Sequence, residues 1–293
     1  GFTGDNRMNI CSMPDGCYEL NLSKGRKIFL MEKTFLTPKE IAQATVNSGI
    51  AKSQLPASKM LLLGIFAGMF IAFGGFASQM ISHSIESTGV AKFAGAAVFP
   101  VGLMFVVMAG AELFTGNNLM AIALYEKKIR IQGLLKNWLF VYAGNFIGSV
   151  IFALIIHGSG LLNTSGMKLG AVVVNSAYQK VNIGFGPSIL RGILCNITVV
   201  LAVWLATAAK DIVSKIWACW FPIMLFVLSG FEHSIANMYF IAIGVLAKGR
   251  YGGKVAELFN VQAGELSGLN WASMWSGNLI PVTIGNIIGG AVI

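Results

Sequence analysis

Two stretches of one pattern, Gly-x-Glu-x4-Asn, each interrupt a long apolar run. The first is Gly110-Ala111-Glu112-Leu113-Phe114-Thr115-Gly116-Asn117, and the second is Gly230-Phe231-Glu232-His233-Ser234-Ile235-Ala236-Asn237. An ionisable side chain at membrane depth costs a few kcal/mol or more, so an intramembrane glutamate or histidine marks a functional site by default. Two equivalent interruptions, one in each half of the chain, mark an internal repeat with a site between its halves.

Composition agrees with a membrane setting. Of 293 residues 55% are hydrophobic and only 11% charged, where a soluble domain carries roughly 25% charged residues. The net charge of +9 reads as loop charge that orients the protein in a lipid bilayer. No basic stripe with interleaved aromatics points to nucleic acid as a partner. Cys195 and Cys219 fall in apolar segments as small core residues, while Cys11 and Cys17 lie near the N-terminus. No metal-ligand spacing or disulfide framework appears, so neither a metal nor another cofactor is expected.

Residues 1–30 carry mixed charge without an apolar core and cannot be a signal peptide. They read as an appended or read-through leader, with Met31-Glu32-Lys33 as a natural start. Thr37-Pro38-Lys39-Glu40 is a helix start, with Thr as N-cap, Pro at the first position and Glu at the third. Residues 31–58 are expected to hold a short interfacial helix with Ile41, Ala44, Ile50 and Ala51 on its apolar face. A channel domain is expected over 59–293.

The spans expected there are Met60 to Ser82, Phe93 to Tyr125, Asn137 to Ile156, Gly192 to Ala209, Ile216 to Ala247, and a sixth from Leu279. The sixth stops abruptly, which reads as a missing C-terminal tail. The run from Phe93 to Tyr125 would make one helix of ~50 Å, too long for a bilayer. It and its counterpart must break at their polar stretches, which is tolerated only where backbone is buried or lines a cavity. Asn137 to Gly148 and Asn278 to Gly289 share Asn-x3-Val-x2-Gly-Asn-x-Ile-Gly. Each half holds three spans, an odd number, so the halves run in opposite senses. The fold class is an all-α membrane protein of six transmembrane helices, two inverted three-helix repeats with helices 2 and 5 broken. The basic cluster Lys127, Lys128, Arg130 and Lys136 places the N-terminus on the cytoplasmic side of the cell's inner membrane.

The stretch Gly-Phe-Glu-His-Ser-Ile-Ala-Asn-Met at 230–238 closely resembles the signature of the formate/nitrite transporter family. Ala111 to Gly116, Lys136-Asn137-Trp138, Gly144-Asn145 and Gly285 to Gly290 are similar to it too. The resemblance runs from about Pro38 to the end. It implies an aquaporin-like fold, a homopentamer with one pore per protomer, and passage of small weak-acid anions such as formate, nitrite or hydrosulfide. It further implies that Phe99, Leu103, Leu113, Phe114, Val199 and Phe226 narrow the pore. Thr115 and His233 match its polar centre, Asn196 and Asn237 supporting polar positions, and Lys180 a basic residue at the outer vestibule. Phe-Thr-Gly-Asn-Asn at 114–118 departs from the Phe-Thr-Ser form associated with formate channels, which keeps nitrite and hydrosulfide open.

Three features could lower the cost of an anion at the centre. Both broken helices restart near the midplane, with Thr115 and Ser234 able to cap free N–H groups that face a shared centre. His233 can donate a hydrogen bond or a proton, and Lys180 can concentrate anions at the mouth. Glu112 and Glu232 read as holding the breaks in shape, with Glu232 accepting from backbone or a neighbouring protomer. Taken singly, His233 could be a satisfied core histidine, and Phe99, Phe114 and Phe226 ordinary core. A neutral-solute pore and a proton-coupled anion carrier stay open. An intramembrane enzyme does not fit, since neither a His-Glu-x-x-His site nor a nucleophile elbow is present.

Overall fold

The computed structural model describes residues 10–12, 17–21, 27–31 and 33–293. The expected leader falls largely outside the described residues. Within it β1 (Ile10–Ser12), β2 (Cys17–Asn21) and β3 (Lys27–Met31) pair in order as an antiparallel meander. From Pro38 onward the regular structure is helical.

Helix α1 (Pro38–Ser53) starts as its sequence dictates. The Glu40 carboxylate accepts the Thr37 backbone N–H at 2.7 Å, and Lys33 closes on Glu40 at 2.8 Å. Those bonds, from Lys33 first and then Thr37, hold the Glu40 carboxyl down to about 2. The face α1 buries is Ile41, Thr45, Val46 and Gly49. Ala51, expected on that face, is exposed. The Thr45 hydroxyl fits the buried face because it donates to the Ile41 carbonyl one turn back.

The chain continues through α2 (Ala57–Ser82), α3 (Thr88–Val98), α4 (Val101–Ala109), α5 (Phe114–Asn117), α6 (Met120–Tyr125), α7 (Ile131–Gly158), α8 (Lys168–Val181) and α9 (Phe185–Ala208). It ends with α10 (Ile212–Ser229), α11 (Ser234–Phe259), α12 (Ala263–Leu266), α13 (Trp271–Ser273) and α14 (Ile280–Ile287). Among the described residues, 5 stretches are long and apolar enough to cross a membrane: α2, α3 with α4, α7, α9 and α10.

Several boundaries differ from the sequence reading. The second span begins at Thr88, and Pro100, which has no N–H to donate, divides it. The third starts at Ile131, because Gln132 and Lys136 are exposed and need no apolar setting. The last begins at Trp271 and carries π-helical turns at Met274–Leu279 and Ile288–Val292. Its polar residues hid that start, but the Asn278 amide is used internally, donating to the Lys180 carbonyl at 2.9 Å. Helix α8, too polar to read as a span, buries Leu169, Val173, Val174, Ala177 and Val181 against α11.

Glycines set the closest helix pairs. A Cβ on Gly64 of α2 would lie 2.9 Å from the Val141 carbonyl of α7. One on Gly192 of α9 would lie 2.7 Å from the Val282 carbonyl of α14. Where lipid is as apolar as leucine, such close approach supplies the van der Waals energy of helix association.

Candidate functional site between two broken helices

The same local construction of bonds occurs twice. Helix α4 ends at Gly110 (φ 79°) and α10 at Gly230 (φ 72°), both left-handed, which glycine adopts at little cost. The chain then leaves the helix axis. The Glu112 N–H donates to the Leu63 carbonyl, and the Glu232 N–H to the Arg191 carbonyl, each at 3.2 Å. One asparagine latches each break. Asn145 accepts the Phe114 N–H at 3.0 Å and donates to the carbonyls of Gly64 and Glu112. Asn286 accepts the Ser234 N–H at 2.9 Å and donates to the carbonyls of Gly192 and Glu232. Backbone groups freed by the breaks are thereby satisfied without water, as burial requires.

Each glutamate then heads an identical set. Glu112 pairs with Lys52 at 2.5 Å and accepts from Asn117, whose amide also donates to Asn137. Glu232 pairs with Lys180 at 2.9 Å and accepts from Asn237, whose amide also donates to Asn278. Both carboxylates are nearly enclosed, at 6% and 4% exposure, so a paired cation and an amide donor are needed to hold them there.

Between the two sets lies one bond without a counterpart. His233 Nε2 and Thr115 Oγ1 are 2.7 Å apart, both residues buried. His233 Nδ1 accepts the Ala236 N–H at 3.1 Å and so caps α11. A ring nitrogen that accepts cannot carry the proton of the neutral ring, which assigns that proton to Nε2. Nε2–H therefore donates to Thr115 Oγ1, and the threonine O–H is left able to donate to a guest.

Two cavities approach this bond. One of about 240 Å³ is lined by Lys52, Glu112, Leu113, Gly116 and Asn117, with Thr45 and Ser48 of α1 in its wall. The other, of about 170 Å³, is lined by Lys180, Glu232, His233, Asn237, Phe99 and Phe226. The Phe99 and Phe226 rings meet edge to face, centroids 5.5 Å apart, and Phe226 lies beside His233.

The family model for formate/nitrite transporters matches residues 39–293. The chain belongs to the formate/nitrite transporter family. A probable formate transporter of Methanothermobacter thermautotrophicus is 36% identical over 280 residues, 89% of this chain and 95% of that protein. The formate channel FocA of Escherichia coli is 35% identical, over 88% of this chain and 91% of its own. A solved pentameric formate channel with formate bound is similar with a TM-score of 0.73 at 32% identity, covering 80% of this chain and 93% of that one. A solved FNT family ion channel shares the fold, with a TM-score of 0.74 at 24% identity. The protein is accordingly a multi-pass membrane protein of a transporter family.

Set against these family positions, the expected site residues divide. Phe99, Phe226, His233, Asn237, Glu232 and Lys180 line one cavity, and Leu113 the other. Thr115 bonds to His233, and Asn196 donates to the Thr115 carbonyl at 3.3 Å. Leu103 and Val199 are buried but line neither cavity. Phe114 lines neither and turns to α7 instead, its ring 4.9 Å from Tyr142 and 5.7 Å from Trp138. Lys180 is no free rim charge: it is bound to Glu232 and stands over the Phe240 ring at 5.4 Å. Glu232 accordingly takes a lysine, rather than backbone, as its partner.

The caps also differ. Thr115 and Ser234 are not N-caps; Leu113 and His233 occupy those positions, and Asn145 and Asn286 do the satisfying. The N–H groups of Phe114, Ser234 and Ala236, expected to face the centre, are thus already engaged. Sequence reading missed Lys52 and the latch role of Asn145 and Asn286. The signal was available. The interval from Gly64 to Gly192 is also the interval from Lys52 to Lys180, and both latches stand in the repeated Asn-x3-Val-x2-Gly-Asn motif.

Proposed function

We propose that the protein is a facilitator for small monovalent weak-acid anions, formate foremost, with nitrite and hydrosulfide as further substrates. The observation that carries this reading is the Thr115–His233 bond lying between two cavities, each headed by a Lys–Glu pair. Each lysine, held in place by its glutamate, keeps an ammonium N–H that can donate to an anion entering its cavity. Phe99 and Phe226 on one side and Leu113 on the other strip its water. At the centre the Thr115 O–H, backed by His233 Nε2–H, donates to the anion; a proton first taken from water at Nδ1, at the expense of the Ala236 bond, would let Nε2 pass its own proton through Thr115 to the anion, which crosses as the neutral acid and leaves the ring neutral.

The architecture supporting this is six spans in two inverted three-helix repeats, aquaporin-like, over 59–293, with residues 31–58 as an interfacial element. It assembles as a homopentamer in the inner membrane with its N-terminus cytoplasmic. The twofold recurrence of Lys, Glu and Asn bonds supports the repeats, and the names of the relatives favour formate among the three anions.

Flux into proteoliposomes for formate, nitrite and hydrosulfide, with and without a pH gradient, tests the reading. Transport of formate above protein-free vesicles is expected. Glycerol passage with no anion flux would give the neutral-solute pore instead, and accumulation strictly following the proton gradient would give the proton-coupled carrier.

A further inference from the structure

On the outside of the bundle, where α9 turns into α10, lies a groove of about 480 Å³ that no part of the anion path touches. Its volume falls in the range of sites for small molecules. Its walls change character along its length. Leu205, Ala218, Phe221 and Pro222 line it along the two helices, and Thr34, Asp211 and Ser214 close it at the turn. The turn joins two helices long and apolar enough to span, so it marks the membrane boundary on the N-terminal face. Trp217 and Phe221 stand at the groove, 52% and 58% exposed, with Trp217 close to Trp220. An exposed tryptophan one or two turns inside a boundary fits the aromatic belt of a bilayer interface.

The polar end holds one charged lining residue, Asp211, with Lys210 and Lys215 close to it in sequence. Asp211 accepts the Ser214 N–H at 2.8 Å, capping α10, and hydrogen bonds from Ser214 hold it below the usual carboxylate range. It is therefore an anion at neutral pH. Lys210 precedes it in the turn, and Lys215 follows one helical turn later. The segment at Thr34 and Phe35 is tied across the end of α9 by the Leu36 N–H to the Ala208 carbonyl at 2.9 Å, which fixes that side of the rim.

We propose that this groove is a binding site for one phospholipid with an amine headgroup. The acyl chain lies between Leu205, Phe221 and Pro222. The headgroup ammonium meets Asp211, and the phosphate meets Lys210 or Lys215. A purely anionic headgroup would set its charge against Asp211; a zwitterionic one matches both signs. The occupant is a lipid rather than a second copy because an apolar wall ending in a charged rim at the bilayer boundary repeats the amphipathy of a lipid, headgroup to tail.

The test uses the intact oligomer taken from vesicles of equal phosphatidylethanolamine and phosphatidylglycerol, with retained lipid measured by native mass spectrometry. Phosphatidylethanolamine is expected to be enriched about 2- to 5-fold, the range of a partly exposed ion pair. Asp211→Asn keeps the helix cap, since Asn caps as well as Asp, and should return the ratio to that of the vesicles. Ala218→Trp fills the groove and should release both lipids. An unchanged ratio in Asp211→Asn, or unchanged lipid in Ala218→Trp of normal oligomer size, overturns the proposal. So does a crosslink to a neighbouring copy from a photoreactive side chain placed at Trp217, which would make the groove a protein interface.

Discussion

His233 does two jobs with two nitrogens. Nδ1 caps α11 and Nε2 reaches Thr115, so a substitution must separate them. Asn is as good an N-cap as any residue but cannot titrate and is too short to reach Thr115. His233→Asn is therefore expected to assemble and melt close to the parent, while formate flux loses the part of its pH dependence that proton exchange at the ring supplies. A retained profile in flux measurements would make His233 a structural hydrogen-bonding residue only. Leu113 and Phe114 are neighbours in sequence but differ in setting. Leu113 lines a cavity; Phe114 packs on Trp138 and Tyr142. Leu113→Ala should raise anion flux, at the stability cost of a buried leucine, about 2 kcal/mol or more. Phe114→Ala should lower stability by about 3 kcal/mol, as loss of a packed ring does, without widening the path. Greater flux in Phe114→Ala at unchanged melting would return Phe114 to the pore.

The two breaks are held from outside themselves, by α7 and α14. Asn286 joins three backbone groups that no water can reach. Asn286→Leu leaves them unpaired, at about 1–3 kcal/mol each, so the oligomer should fall apart on heating well before the parent does. A melting curve matching the parent would show that the breaks hold their own shape. The ion pairs behave differently. Lys180→Met strands a buried carboxylate, which typically costs about 3–5 kcal/mol. Adding Glu232→Gln removes that charge while the amide oxygen still accepts from Asn237. The double variant should recover its melting temperature but not its anion uptake; recovery of uptake as well would make Lys180 purely structural. This division explains what the sequence could convey. Gly110, Gly230 and the two glutamates are visible because they violate local rules for an apolar helix. Lys52 stays hidden because a lysine in the last turn of α1 breaks no rule. Its meaning depends on Glu112, which is brought to it only by folding. The last span hid its start for the opposite reason, since Asn278 breaks the apolar rule and is forgiven only through its bonds to Lys180 and Asn237.

Taken whole, the molecule brings every element of the proposed path from a single chain. Lys52 and Leu113 at one cavity, Lys180, Phe99 and Phe226 at the other, and the Thr115–His233 bond between them need no residue from a neighbour. What the chain lacks by itself is cover for its outer face, where Leu139, Leu190 and Trp217 stand 67%, 63% and 52% exposed. Lipid and other copies can supply that cover without entering the path. Assembly and conduction are therefore separable, and mixed oligomers measure the separation. Protomers carrying Leu113→Trp, in which the indole fills the cavity beside the break, are combined with parent protomers in known ratios. With each proposed path complete in its own protomer, formate flux should fall in direct proportion to the parent fraction. A path shared at a central axis would instead fall as a steep power of that fraction, since one blocked protomer would close it for all. Size-exclusion profiles of the mixed oligomers must match the parent, which excludes loss of assembly as the cause. Proportional loss is the outcome required if the buried Thr115–His233 pair, and not a space between protomers, is where the anion crosses.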